Sequence, residues 1–345
     1  MKRELLEKEQ GAEAAGFISG FAEIGSPNTH VLKTNIGFPV EAIEEESANA
    51  IVNLNKINDI RGINVFFKLV NSKLKEGGFF VGCVETQQQR KKRILHKYPF
   101  ALAQIYFLFD FIFKRVFPKL KLTQWLYFFV TAGRNRVLSK AESLGRLVFC
   151  GFDIVEVAEI RGLTYFVVAK SMRPIPSNTP SFGVLFKMRR IGKNNKLITV
   201  YKFRTMHPYA EYLQEYVYKQ NKLQDGGKFK DDFRVTSWGR FMRKFWIDEL
   251  PMIVNLFKGQ IKLVGVRPLS EHYLGLYSEE LKQQRAGAKP GLVPPFYADL
   301  PVSLEDIMNS EKRYLERYKA NAFRTDCSYF FKAFGNIVFK SARTN

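Results

Sequence analysis

The chain has 345 residues, enough for two domains of ordinary size or one large one. Hydrophobic residues make up 46% and charged residues 25%, a balance that excludes an intrinsically disordered chain. The net charge of +21 calls for an anionic partner. The aromatic fraction of 14%, with 32 Phe, turns that expectation toward a membrane surface and away from nucleic acid, because no basic-aromatic strand pattern of the base-stacking kind is present.

Cys83, Cys150 and Cys327 lie far apart and the four His are scattered, so no zinc spacing exists and free thiols in a reducing cytoplasm are expected. Met1-Lys2-Arg3-Glu4 opens a charged segment without an apolar run, and no cleaved signal peptide is expected. Residues 50–54 form a short apolar run, 58–73 have helical spacing, and Lys75-Glu76-Gly77-Gly78 precedes a strand-like run at 79–83. Further on, 138–145 reads as helix, and 153–157 and 163–169 read as strands bracketing a turn at Arg161-Gly162. This order resembles the later half of a class I methyltransferase fold. Gly11, Gly16 and Gly20 do not follow a strand and are wrongly spaced for a cofactor loop, so residues 1–172 are expected to be a degenerate methyltransferase-like domain that does not bind S-adenosylmethionine.

Within that domain, 100–113 is apolar apart from Gln104 and Asp110, and 125–130 is apolar again. Lys114, Arg115, Lys119 and Lys121 surround Pro118 between them. A spanning helix needs roughly 20 apolar residues, so neither piece is expected to cross a bilayer. Two readings stay open: a helical pair buried in a soluble fold, or a membrane-contacting insert at about 99–131 with its cations at headgroup level, which is the expectation carried forward. Prolines 174, 176 and 180 mark a linker at 173–180. Beyond it, 184–186 and 197–201 read as strands of a hairpin turned at Asn194-Asn195, and 210–224 as helix.

From residue 234 to 268 an acidic pair, Asp248-Glu249, sits among Arg240, Arg243, Lys244 and Arg267. Cations around a carboxylate suit chemistry on phosphates, since they hold the anionic substrate and keep the carboxylate ionised for attack or for a metal. Local helix logic gives Asp248 a second reading. It can cap a helix over 249–258, with Pro251 in the first turn and Gly259 just past the end.

The runs Tyr201-Lys202-Phe203-Arg204-Thr205-Met206, Trp238-Gly239-Arg240, Ile247-Asp248-Glu249-Leu250-Pro251, Leu263-Val264-Gly265-Val266-Arg267-Pro268 and Lys289-Pro290-Gly291 resemble the bacterial sugar transferase family, the monotopic polyprenyl-phosphate phosphoglycosyl transferases. The resemblance covers about 180–345. It implies an α/β phosphoglycosyl transferase domain at 181–345, following the methyltransferase-like domain. It also implies transfer of a sugar-1-phosphate from a nucleotide sugar, a UDP-sugar, to undecaprenyl phosphate with release of UMP, starting a lipid-linked polysaccharide, exopolysaccharide or lipopolysaccharide. Asp248 would be the nucleophile, forming a phosphosugar-aspartate. Asp248 and Glu249 would bind Mg²⁺, and Lys202, Arg204, Arg243 and Arg267 would hold phosphates. The implied location is the cytoplasmic face of the bacterial inner membrane, monotopic, with other glycan-assembly enzymes as partners. The alternative is a catalytically inactive scaffold for glycan assembly. Three departures stand out, one being Met188, which stands where the family commonly has Gln. The apolar segment lies far upstream of its usual place, and Leu292-Val293-Pro294-Pro295 replaces the usual continuation after Gly291.

Overall fold

The computed structural model describes residues 2–171, 174, 183–221 and 232–339. The chain divides into two compact units, one of Met1–Phe182 with His207–Gln220, the other of Gly183–Met206 with Asn221–Asn345. Apart from Pro174, the linker expected at 173–180 lies outside the described residues, as do 222–224 of the helix expected to end there. The segment 207–220 belongs to the first unit, where a single boundary at 173–180 would have put it in the second. Its anchor is Tyr209, which is fully buried, accepts a hydrogen bond from Asn64 Nδ2 (2.6 Å) and stacks near Phe149 (5.5 Å). Leu213 and Val217 are buried with it.

The first unit is built on a five-stranded sheet: β1 (Thr29–Leu32), β2 (Ala48–Lys56), β3 (Leu74–Val84), β4 (Phe152–Ile160) and β5 (Leu163–Lys170). Their order is β1-β2-β3-β5-β4. The first three are parallel, and β5 runs antiparallel to both β3 and β4. The centre of β5 is buried without alternation, as in a sheet covered on both faces. Phe80 is the hub of the core, with Phe67, Phe152 and Phe166 at 5.8, 6.0 and 5.7 Å. The helix expected over 58–73 is split into a short turn at Ile57–Asp59 and a helix at Ile63–Lys73. Asn58 explains the split: its amide donates to the carbonyls of Glu85 (2.9 Å) and Arg136 (2.8 Å) and accepts from Glu85 N–H, which ties the segment to the end of β3.

The insert at 99–131 folds as a helix Phe100–Phe111, a π turn Ile112–Val116, a short turn Phe117–Lys119 containing Pro118, and a helix Gln124–Thr131. Three of its cations turn inward and not toward a headgroup layer. Lys114 pairs with Asp110 at 2.7 Å, and Asp110 also receives Arg90 in a two-point contact at 2.6 and 2.9 Å. Arg115 and Lys119 converge on Glu142, which is fully buried. A buried carboxylate needs such partners, and two of them draw the cations in. Among the described residues no helix is long and apolar enough to cross a membrane.

The second unit begins with the expected hairpin, β6 (Leu185–Ile191) and β7 (Leu197–Phe203), closed by Asn194 and Asn195, both at φ 56°. A short parallel pair follows, β8 (Lys262–Val264) and β9 (Gly291–Val293). A Cβ at Gly291 would lie 2.1 Å from Gly265 N, so glycine lets the two backbones cross there. Helices Leu304–Ala320 and Ala322–Phe339 contribute Tyr314, Leu315 and Tyr329 to a core shared with Val264, Val266 and Tyr297. Ser303 and Asp306 form a capping box at the start of the first of these helices.

Candidate active site

Along β6 and β7 the side-chain period of two puts Met188, Arg190, Val200 and Lys202 on one face, because Met188 pairs with Val200 and Phe186 with Lys202. That face lines a cleft of about 200 Å³ closed by Glu249, Arg267, Tyr273 and Phe296. Three cations therefore meet one carboxylate. Lys202 Nζ donates to Glu249 Oε1 at 2.5 Å. Burial, and then the charge of Arg267, lower the pKa of Arg190, and both guanidinium groups line the cleft. Such a cleft favours an anion with several oxygens.

Arg267 is fixed from behind. Arg285 donates through Nη2 to the Arg267 carbonyl at 2.6 Å and is itself paired with the buried Glu311. The Arg267 guanidinium lies 5.4 Å from the Phe296 ring.

Asp248 and Glu249 sit in a 3₁₀ turn, Ile247–Met252, that precedes a short helix Ile253–Phe257. The turn is entered through Trp246 in the left-handed region (φ 59°), whose ring packs on Tyr297 at 4.1 Å. Asp248 is not the helix cap that the sequence allows: no side chain caps this turn, and Asp248 lies inside it. Both residues are 6% exposed. Asp248 Oδ1 is buried and has no hydrogen-bond partner among the described residues. Asn255, on the short helix that follows the turn, binds that helix to β7: it accepts from Tyr201 N–H (3.2 Å) and donates to the Thr199 carbonyl (2.6 Å) and Gln260 Oε1 (2.7 Å).

Burial works against the basic field at Asp248. Its pKa is raised, first by burial and then by Glu249, and the charges of Lys202 and Arg243 only partly offset this. The reason is where the cations go. Lys202 bonds Glu249, and Arg243 Nε donates to Thr205 Oγ1 at 3.0 Å. Arg243 stands on the helix Ser237–Lys244, which is capped by Thr236 and packed on the 205 loop; a Cβ at Gly239 would lie 1.9 Å from the Thr205 carbonyl oxygen.

Of the residues expected in the site, Lys202, Glu249 and Arg267 line the cleft, whereas Asp248 and Arg243 adjoin it without lining it. Arg204 goes elsewhere. β7 ends at Phe203, and the Arg204 guanidinium donates to the Gly183 carbonyl at 3.1 Å and lies 5.0 Å from the Phe186 ring. Arg190, Asn255 and Thr205 were not expected. All three stand in runs that resemble the family, Arg190 in 186–196, Thr205 in 201–206 and Asn255 in 255–259, but the runs alone did not single them out.

A family model described as bacterial sugar transferase matches residues 151–340, more than half of the chain. The chain belongs to the bacterial sugar transferase family. The match starts in the last hairpin of the first unit's sheet and runs through the whole cleft. Among curated relatives, an uncharacterized sugar transferase, EpsL, of Bacillus subtilis is 40% identical over 109 residues, covering 32% of this chain and 48% of its own. The galactosyl transferase CpsE of Streptococcus agalactiae is 38% identical over 110 residues, 31% of this chain and 24% of its own. The undecaprenyl-phosphate galactose phosphotransferase of Salmonella typhimurium is 34% identical over 113 residues, with the same shares. The chain thus spans from about a quarter to a half of the length of these curated relatives. A putative methyltransferase structure from Bacillus halodurans is 9% identical with a TM-score of 0.24, covering 42% of this chain and 91% of its own, a likeness too slight to define the fold of the first unit.

Proposed function

We propose that this sugar transferase moves a sugar-1-phosphate from a UDP-sugar to undecaprenyl phosphate through a covalent intermediate on Asp248. The observation that carries the reading is a buried carboxylate with an oxygen unpartnered among the described residues, one residue from a cleft that gathers Arg190, Lys202 and Arg267. In the first step an Asp248 oxygen attacks the phosphorus that bears the sugar. The bond from that phosphorus to the bridging oxygen breaks, and UMP leaves with the electron pair. In the second step a phosphate oxygen of the carrier lipid attacks the same phosphorus. The aspartyl–phosphorus bond breaks, the Asp248 carboxylate is restored, and the sugar is left on a lipid diphosphate. Splitting the transfer in two suits a weak nucleophile that is held in place. Arg190, Lys202 and Arg267 hold the phosphate oxygens and offset their charge.

Among the described residues no three His, Cys, Asp or Glu side chains cluster to hold a metal. The orphaned Asp248 oxygen with Glu249 nevertheless fits Mg²⁺, which is commonly held by one or two carboxylates and completed by substrate phosphates and water. Bound there, it would supply charge neutralisation at the diphosphate.

The donor is soluble and the carrier is a lipid, so the protein works at a membrane surface. The insert supports this. Phe100, Leu102, Ile105, Leu108, Leu122 and Phe129 are exposed on it, while Lys114, Arg115 and Lys119 are drawn to internal carboxylates. An apolar surface of that kind fits the interface of the cytoplasmic membrane face without spanning it. The second unit also exposes Trp238, Phe241 and Phe257 near the acidic turn in sequence, which suits a polyprenyl chain. The polymer started could be an exopolysaccharide or another lipid-linked glycan. The test is release of nucleoside monophosphate from a panel of nucleotide sugars, in detergent with polyprenyl phosphate and Mg²⁺. Release dependent on both Asp248 and the lipid supports the reading. Binding of donor without release would leave the inactive scaffold.

A further inference from the structure

The first unit contains a second cleft that the transfer chemistry does not use. It is an open cleft of about 970 Å³, at the upper end of the range for small-molecule sites. Its position is set by the sheet. Lys33 follows the end of β1, Lys56 ends β2, and Glu85 follows β3, so the cleft opens at the carboxyl ends of the three parallel strands. Crevices at that edge of a parallel sheet are where α/β folds bind ligands. The helix Gln87–Lys97 forms one wall through Lys92 and Arg93, and the β4–β5 turn closes another through Arg161.

The charges point to the class of ligand. Lys33 is matched by Glu9 at 2.6 Å, and Arg93 by Glu85 at 2.6 Å. Lys56 and Lys92 have no ion pair among the described residues. Arg161 spends only a 3.4 Å contact, on the Gln10 carbonyl. Glu159 is the one lining carboxylate without a salt bridge among the described residues, so the unmatched charge is positive. A pocket of this sign and size suits phosphate groups on a nucleotide-sized molecule. It disfavours S-adenosylmethionine, whose sulfonium would add to the positive charge.

We propose that this cleft binds a free nucleoside diphosphate, separately from the transferase cleft, with Lys56, Lys92 and Arg161 on its phosphates. A lipid phosphate headgroup offers the same chemistry, so the test separates the two sources. ADP is titrated calorimetrically into the full chain, into Lys56→Glu/Lys92→Glu, and into Lys202→Ala/Arg267→Ala. The expected result is ADP binding weakened by about tenfold or more in the first variant and unchanged in the second. Vesicles containing phosphatidylglycerol should not displace it. Because charge reversal could disturb the fold, Lys56→Gln/Lys92→Gln is measured alongside and should also weaken binding, with an unchanged thermal transition. The proposal is overturned if wild type does not bind ADP at millimolar concentration, or if the lysine variants bind it as wild type does. It is equally overturned if the vesicles compete for the site or if S-adenosylmethionine binds there in preference to ADP.

Discussion

Asn255→Ala tests whether the acidic turn is held against the hairpin that carries Lys202. Asn255 is fully buried and its amide makes three hydrogen bonds, to Tyr201 N–H, the Thr199 carbonyl and Gln260 Oε1. Each contributes on the order of 1 kcal/mol net, so their loss should cost about 3 kcal/mol, with more if the two backbone groups of β7 stay dry. For a unit of this size, about 3 kcal/mol lowers the midpoint of thermal unfolding by roughly 6 to 12 °C. Scanning calorimetry would read this in the transition of the second unit and leave that of the first in place. Turnover should fall at temperatures where the variant is still folded, because the helix that Asn255 holds on β7 directly follows the turn whose Glu249 pairs with Lys202. A variant with a shift under about 2 °C and wild-type turnover would refute the tether as the device that positions the site.

The raised pKa of Asp248 has consequences for both rate and stability. If the ionised form attacks, the acid limb of the pH–rate profile should lie above the ordinary aspartate range; a limb at or below that range would contradict the burial argument. Since the folded pKa is above the unfolded one, the stability contributed by Asp248 is full below the unfolded pKa and is lost as pH rises through the folded one. Asp248→Asn should therefore match or exceed wild type in stability at neutral pH, with the advantage vanishing in acid; denaturant titrations at both pH values check the sign. Substituting Leu122 and Phe129 together by Glu should move the protein from vesicles to the soluble fraction in flotation, since both side chains point outward; retained flotation would remove the insert from membrane contact. Gly291→Ala should destabilise the second unit by about 1 to 3 kcal/mol, because the new Cβ falls on Gly265 N; a neutral effect in calorimetry would mean that the β8–β9 crossing opens freely.

Much of the framework was legible in the sequence because its signals are local. Asn194-Asn195 announced the hairpin through their tolerance of positive φ, and Pro118 broke the insert where it stands. The site was legible as a set of residue types, but its geometry was not. Asp248 has the sequence context of a cap, yet the left-handed Trp246 and the stack on Tyr297 turn the chain so that Asp248 enters a buried 3₁₀ turn instead. The inward cations of the insert depend on Arg90 with Asp110 and on Arg115 with Glu142, pairs separated by 20 and 27 residues that no local pattern reveals. The return of 207–220 to the first unit rests on one buried tyrosine meeting Asn64, a contact across 145 residues. Arg204 shared the motif of Lys202 but lies further along the hairpin, against Phe186 and the Gly183 carbonyl, and does not line the cleft.

The proposed transfer requires that Asp248 become bonded to phosphorus. Its most direct test is the intact-protein mass after incubation with the correct nucleotide sugar and Mg²⁺ in the absence of lipid acceptor. Wild type should gain the mass of one sugar phosphate and lose it when polyprenyl phosphate is added, and Asp248→Asn should gain nothing. An Asp248→Asn protein that acquired the same mass, or that turned over at the wild-type rate, would remove Asp248 as the nucleophile.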